Sequence, residues 1–266
     1  MIISASRRTD IPAWHALWFM EQLRAGKTRV KNPFRPSVER EVSLLKEDVD
    51  CIVFWTRNAK PLLPYLQEIK EAGYPVLFLY TVTPYGTDLE PGFPPPEKRL
   101  AGLTELASMM PAGTVIWRYD PIIFTPLYNE GFHKEKFAEM AEYLKNFTFR
   151  CITSFVQFYR KCRKNLTRCG AYDPPVEVKA ELLQSLLQIA RSHGITLQTC
   201  SSEADVSASG VKPGACIDAE LINYLYGLNI TLKKDPGQRK ACLCTLSTDI
   251  GGYGTCRSKC IYCYAL

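Results

Sequence analysis

Six short apolar, β-branched or aromatic runs recur along the chain with room for a helix between each pair, a spacing that favours parallel βαβ units over a sandwich of hairpins. The runs are Ile2–Ser6, Cys51–Thr56, Val76–Thr83, Val115–Tyr119, Cys151–Phe158 and Ile195–Cys200. Their near-continuous apolarity suits strands covered on both faces. Helices are expected over Ile11–Ala25, Ala59–Ala72, Pro96–Met109, His133–Asn146 and Pro175–His193. In the last of these, Leu182, Leu183, Leu186, Leu187, Ile189 and Ala190 make a helical stripe that needs a sheet beneath it. Asp10 and Asn58 stand where helix caps are expected. The segment 31–49 breaks the alternation and reads as an excursion, a hairpin able to roof one side of a site, while the Pro- and Gly-rich stretch 84–96 reads as loop. At 266 residues the chain suits a single α/β domain spanning 1–266.

Hydrophobic residues at 46% and charged residues at 23% are those of an ordinary soluble domain. No apolar run approaches the roughly 18 residues a membrane span needs. The first residues, Met-Ile-Ile-Ser-Ala-Ser-Arg-Arg, lack the basic-then-apolar order of a secretory signal, so a cytoplasmic, reducing setting is expected. Eleven cysteines is an odd number and high for such a setting, which argues for metal ligation over a disulfide framework. Cys51 and Cys151 open apolar runs and read as buried strand residues. Cys162 and Cys169 lie in a cationic stretch and read as incidental thiols. Trp14, Trp18 and Trp55 read as core. His15, His133 and His193 fall in expected helices away from strand ends, so a nucleophile–base dyad has little support.

The segment Cys256-Arg-Ser-Lys-Cys260-Ile-Tyr-Cys263-Tyr-Ala carries the sharpest chemical signal. Three thiolates on so short a loop can each hold one iron of a [4Fe-4S] cluster and leave the fourth iron open to a small molecule. A structural zinc site more often closes with four ligands from two separated pairs. Cys200, Cys216, Cys242 and Cys244 make a second set. Cys242-Leu-Cys244 puts two sulfurs on one side of an extended chain, and with the other two they make a four-thiolate site for an auxiliary [4Fe-4S] cluster or a zinc ion, or else remain free thiols. The cysteine-rich segment thus runs over 200–266.

The CxxxCxxC spacing, with Tyr262 in the aromatic slot and Tyr264 and Ala265 following, resembles the cluster loop of the radical S-adenosylmethionine (SAM) superfamily. The wider chain, from Ser4-Ala-Ser-Arg-Arg-Thr-Asp-Ile-Pro12 through Cys51–Thr56 and Trp117-Arg-Tyr-Asp-Pro121 to the tail, looks like an uncharacterised bacterial family with this motif at its C-terminus. The resemblance implies a partial (β/α) barrel of six to seven parallel strands, circularly permuted, with the cluster loop at the C-terminus. A strand near Leu246–Ile250 would then lead into the cysteines and lie beside Ile2–Ser6; a doubly wound open sheet is the alternative. It also implies SAM on the open iron, a 5′-deoxyadenosyl radical, and an electron donor such as flavodoxin or ferredoxin.

Barrel enzymes place ligand contacts after their strands. Here the strand ends are polar: Ser6, Arg7, Arg8, Thr9 and Asp10; Thr56, Arg57 and Asn58; Thr81, Thr83 and Tyr85; Arg118 and Asp120; Gln157, Tyr159 and Arg160; Cys200, Ser201, Ser202 and Glu203. Arg7, Arg57 and Arg118 are candidates for the SAM carboxylate, which a guanidinium grips with two parallel hydrogen bonds, and Ser6 and Thr83 are further cofactor contacts. Ser4–Arg8 would stand in for the superfamily's glycine-rich element. Net charge is +6, with Arg160, Lys161, Arg163, Lys164 and Arg168 clustered. That cluster motivates a second reading, a nucleic-acid lesion repair enzyme like spore photoproduct lyase. A third is a cysteine-rich metal-binding protein without catalysis.

Overall fold

A computed structural model describes residues 1–33, 35, 37–201 and 206–265. Its ten strands are β1 (Ile2–Ala5), β2 (Lys27–Lys31), β3 (Glu39–Ser43), β4 (Cys51–Thr56), β5 (Val76–Thr81), β6 (Val115–Ile122), β7 (Arg150–Phe155), β8 (Thr196–Cys200), β9 (Lys212–Gly214) and β10 (Ser247–Asp249). Eight of them form one sheet in the order β10-β1-β4-β5-β6-β7-β8-β9. Every ladder in it is parallel. Apart from β10, the order follows the sequence, so each strand of the sheet lies beside the one before it. The expected neighbour relation between the first and last strands is present, with Ile2 opposite Ser247 and Ser4 opposite Asp249.

Eight strands replace the expected six to seven. β9 is three residues of Lys-Pro-Gly, without an apolar run to announce it. No ladder joins β9 to β10 among the described residues. The coil beside those two edges nevertheless meets, since the Thr245 N–H donates to the Ile217 carbonyl at 2.9 Å.

Side chains alternate across a strand, and the two faces of this sheet bury different partners. Ile3, Phe54, Phe78, Tyr80 and Trp117 pack on the helix layer, against Phe19, Leu103, Phe137 and Leu183. Ile2, Val53, Leu79, Ile116 and Ile152 face the other way, where Ile217 and Ile222 cover them. Cys51 and Cys151 are fully buried in their strands, as expected.

The helices are α1 (Ile11–Trp14), α2 (Ala16–Arg24), α3 (Leu66–Glu71), α4 (Pro96–Met109), α5 (Glu130–Leu144), α6 (Arg163–Arg168), α7 (Val176–Ser192) and α8 (Ala219–Tyr226). Asp10 caps α1 by accepting from the Ala13 N–H at 3.0 Å. The single helix expected over Ile11–Ala25 is broken at His15, which turns Trp14 and His15 toward the cysteine loop. The helix expected over Ala59–Ala72 starts only at Leu66, behind a single 3-10 turn that contains Pro64. A proline has no N–H to give the preceding turn, so helix forms only beyond it. Asn58 accepts from Lys60 N–H and caps no regular helix. The short helix α8 has no counterpart among the expected elements, although Asp218 before it and Gly227 after it are ordinary start and stop residues.

The hairpin is present but begins earlier than 31. β2 and β3 pair antiparallel from Lys27 opposite Ser43 to Lys31 opposite Glu39, with Lys27–Glu41 and Lys31–Glu39 ion pairs on its outer face. Thr28 and Val30 point inward between those charges. His133 is structural. It takes the Tyr119 hydroxyl on Nδ1 at 2.8 Å and meets the Ile123 carbonyl through Nε2 at 3.1 Å. Burial lowers its pKa to about 4, so the ring is neutral. Among the described residues no helix is long and apolar enough to cross a membrane.

Candidate functional site

At the C-terminal ends of the central strands the inward-facing positions turn from apolar to polar: Thr81, Arg118, Asp120 and Ser154 follow Leu79, Ile116 and Ile152 at alternate positions, with Trp55 and Cys200 on the flanking strands. They line a cavity of about 730 Å³. The hairpin contributes Val30, Lys31, Val38 and Arg40 to one wall. All seven cysteines of the two predicted sets also line this one cavity, which sequence spacing alone did not join.

Cys256, Cys260 and Cys263 lie on the loop that follows β10, and that loop is clamped from three sides. The Gly92 N–H donates to Ser258 O at 3.1 Å and the Ile261 N–H to Leu89 O at 3.1 Å, so the irregular 84–96 stretch cradles it. Trp14 Nε1 donates to Ser258 Oγ at 2.7 Å, and Tyr264 Oη donates to the Arg7 carbonyl at 2.9 Å. Trp14 is therefore a loop anchor and only half-buried. A Cβ on Gly92 would stand 2.4 Å from Ser258 O, inside any real contact. Gly92→Ala is accordingly expected to displace the loop, costing about 1–3 kcal/mol in stability and lowering iron uptake several-fold. Urea unfolding and iron analysis after anaerobic reconstitution check both effects.

Behind the loop lies a buried charge network. Glu90, 1% exposed, accepts from Arg57 Nη1 at 2.7 Å, from Arg99 Nη1 at 2.5 Å and from Thr83 Oγ1 at 2.7 Å. Tyr262, the aromatic residue inside the cysteine motif, donates its hydroxyl to the same carboxylate and receives Arg57 Nη2 at 2.6 Å. Arg57 also donates to the Asp120 carbonyl at 3.1 Å. Its guanidinium is thus committed to the protein. Thr83 is fully buried beneath it and does not line the cavity, which moves Thr83 from a ligand contact to a structural one. Glu90 gave no signal in sequence.

Arg7 and Arg118 are placed differently. Both guanidinium groups lie over the Trp55 ring, at 5.3 and 4.8 Å from its centroid. Each keeps one buried nitrogen without a hydrogen-bond partner, Nη2 of Arg7 and Nε of Arg118. Trp55 is therefore a half-buried cavity wall rather than core, with Nε1 held by Ser4 Oγ at 3.1 Å. Arg118 pairs with Asp120, whose other oxygen takes the Ser154 hydroxyl. Ser6 lines the cavity and donates to Asp249 at 2.9 Å. Asp249 also accepts from Ser4 Oγ and the Arg7 N–H, knitting β10 to β1. Asp10 joins the ends of β1 and β4 by accepting the Arg57 N–H at 2.8 Å, and burial raises its pKa to about 6. A carboxyl held above the usual carboxylate range by burial is thereby set in the cavity wall.

The second cysteine set gathers where the two sheet edges approach. Cys216 Sγ donates to Cys200 Sγ at 3.4 Å, and the Ile217 N–H donates to Cys244 Sγ at 3.4 Å. Thiol–thiolate interactions with Cys216 and Cys242, backed by Arg7, hold Cys244 well below an ordinary thiol, and the interaction with Cys216 lowers Cys200. Cys216 and Cys242 are raised in turn as the proton-bearing partners. Of the remaining predicted strand-end residues, Gln157 and Tyr159 line the cavity, Arg160 is exposed, and Ser202 and Glu203 lie outside the described residues.

The trio on the loop offers the right donors for an iron–sulfur cluster: three thiols facing one cavity, one of them buried, with Arg57 as a nearby positive charge and the Ala265 N–H on the Cys263 sulfur at 3.3 Å. Burial pushes Cys260 up to about 12, against the pull of Arg57. Among the described residues, no three or more His, Cys, Asp or Glu side chains stand so placed as to hold a metal ion.

Comparison with curated proteins finds no match. Comparison with solved structures finds none either. Over residues 2–265 the chain matches a family described as a domain of unknown function, DUF1848, and it belongs to that family.

Proposed function

We propose that this chain is an iron–sulfur enzyme of radical SAM type, with Cys256, Cys260 and Cys263 as cluster ligands and SAM beside them in the cavity. The observation that carries the reading is the position of the CxxxCxxC loop. It follows a parallel strand, β10, that pairs with β1, and all three of its cysteines line a cavity at the C-terminal ends of the sheet. When bound, the cluster supplies the electron that cleaves the sulfonium of SAM to methionine and a 5′-deoxyadenosyl radical, which removes hydrogen from a substrate.

The work of the residues themselves is orientation and exclusion of water. Arg7 and Arg118 have the unpartnered nitrogens a carboxylate would satisfy, whereas Arg57 braces Tyr262 and with it the cysteine loop. The hairpin supplies one wall of the cavity. Arg257 and Lys259 on the loop, and the exposed α6 cations beside it, are suited to an acidic electron carrier such as flavodoxin or ferredoxin. Lys161 lies 5.2 Å from the Tyr253 ring, which brings that cationic surface to the loop; it equally motivates the nucleic-acid repair reading.

Anaerobic reconstitution tests the proposal. About four irons per chain from this site, an electron paramagnetic resonance spectrum that changes on adding SAM, and release of 5′-deoxyadenosine are expected. A reduced cluster whose spectrum ignores SAM would remove both SAM-dependent readings. Salt-sensitive DNA binding would favour the repair reading.

A further inference from the structure

Cys200, Cys216, Cys242 and Cys244 come from three stretches of chain that meet at one place: the end of β8, the coil just after β9 and the coil just before β10. β9 and β10 are opposite edges of the eight-stranded sheet, so this is the seam where the curled sheet has no ladder. Among the described residues a few bonds cross it. Thr245 N–H reaches Ile217 O at 2.9 Å, Ala219 N–H reaches Thr245 Oγ1 at 3.3 Å, and Ile217 N–H reaches Cys244 Sγ at 3.4 Å. Three of the four thiols are buried or nearly so at the seam, in surroundings otherwise made of Ile2, Val53, Ile217 and Ile222.

We infer that these four cysteines bind a single zinc ion that clasps the seam. Several observations favour an ion over four idle thiols. Two sulfurs already touch, at 3.4 Å between Cys200 and Cys216. A tetrahedral zinc with bonds of about 2.3 Å sets its ligand sulfurs roughly 3.8 Å apart, so this pair needs only a small adjustment. A four-iron cube would instead interpose iron and sulfide and hold its cysteine sulfurs well beyond contact. The Ile217 N–H to Cys244 sulfur bond is the kind of backbone support that steadies a thiolate ligand. Arg7 and Arg118 flank the set, and each has a buried nitrogen still lacking an acceptor. Four thiolates on a divalent ion carry a net charge of about −2, which Arg7 and Arg118, already facing Asp235 and Asp120, offset in part. As the side chains stand, no three of them form a metal-binding group among the described residues, so the ion must draw Cys242 and Cys244 in to the Cys200–Cys216 pair.

The inference does not rest on the SAM reading, and the two fail separately. The test is zinc and iron content of the full chain, purified and anaerobically reconstituted, for wild type, the double variant C242S/C244S and the triple variant C256S/C260S/C263S. About one zinc per chain is expected in the wild type and in the triple variant, and none in the double variant. Cobalt(II) added to chelator-stripped wild-type protein supplies a readout that needs no mutation, because four thiolates on cobalt give intense tetrahedral and sulfur-to-metal absorption bands. Loss of about four irons with sulfide in the double variant, with no zinc in the wild type, would overturn the assignment in favour of an auxiliary cluster. So would wild-type protein that takes up neither zinc nor cobalt, or zinc that survives in the double variant.

Discussion

After anaerobic reconstitution, the Cys260→Ser chain is expected to hold about four fewer irons than wild type and to release 5′-deoxyadenosine only at background. Cys260 is the buried member of the trio, seated beside Tyr262 and the Arg57 guanidinium, and a serine oxygen there is a poor ligand for iron. Cys151→Ser is the matched control. That thiol is fully buried in β7 on the helix side of the sheet, away from the cavity, so its loss affects stability and leaves iron content at the wild-type value. Iron and sulfide analysis with chromatographic assay of 5′-deoxyadenosine reads both variants. Full iron content in Cys260→Ser would remove the trio from its assigned role.

The second large effect is expected from Glu90→Gln, at about 3–5 kcal/mol of lost stability. The carboxylate is the common partner of Arg57 and Arg99, both side chains largely buried, and its neutralisation leaves two guanidinium charges in a dry place with one partner removed. The effect extends to the site. A glutamine at this position offers one acceptor oxygen where Glu90 has two, so Tyr262, Thr83, Arg57 and Arg99 compete for it, the cysteine loop loosens, and iron loading falls along with the unfolding midpoint in urea. Glu68→Gln offers the contrast, because the Arg24–Glu68 pair is half exposed and water replaces what the substitution removes. Equal midpoints for Glu90→Gln and wild type would show that the network contributes nothing to stability.

The sheet was legible wherever a strand is covered on both faces, since burial writes itself as an apolar run: β1, β4, β5, β6, β7 and β8 all appear in the sequence within a few residues of their bounds. β10 was legible from the need for a strand before the cysteine loop. β9 was not, because an edge strand of Lys-Pro-Gly has neither apolarity nor alternation. The helix breaks at His15 and before Leu66 follow from local backbone chemistry that an apolar pattern does not record. For the site, residue types were legible and partnerships were not. Arg7, Arg57 and Arg118 look alike in sequence, yet register and burial give Arg57 a buried carboxylate and leave the other two over Trp55. Glu90 and Asp249 became visible only once the 84–96 loop and β10 had positions in space. The meeting of two cysteine sets in one cavity depends on the curl of a sheet whose edge strands are far apart in its order.

The pairing of β1 with β10 has a consequence during synthesis. Ser4 and Asp249 are 245 residues apart, and β1 emerges from the ribosome long before its outer neighbour exists. At about 5–20 residues per second, one flank of β1 waits roughly 12–50 seconds for its partner. Through that interval Ile2 and Ile3 border an unsatisfied edge, a template for wrong pairing with other nascent chains. A holding chaperone, or slow translation at low temperature, is therefore expected to raise the yield of correctly folded protein more than a stronger promoter would.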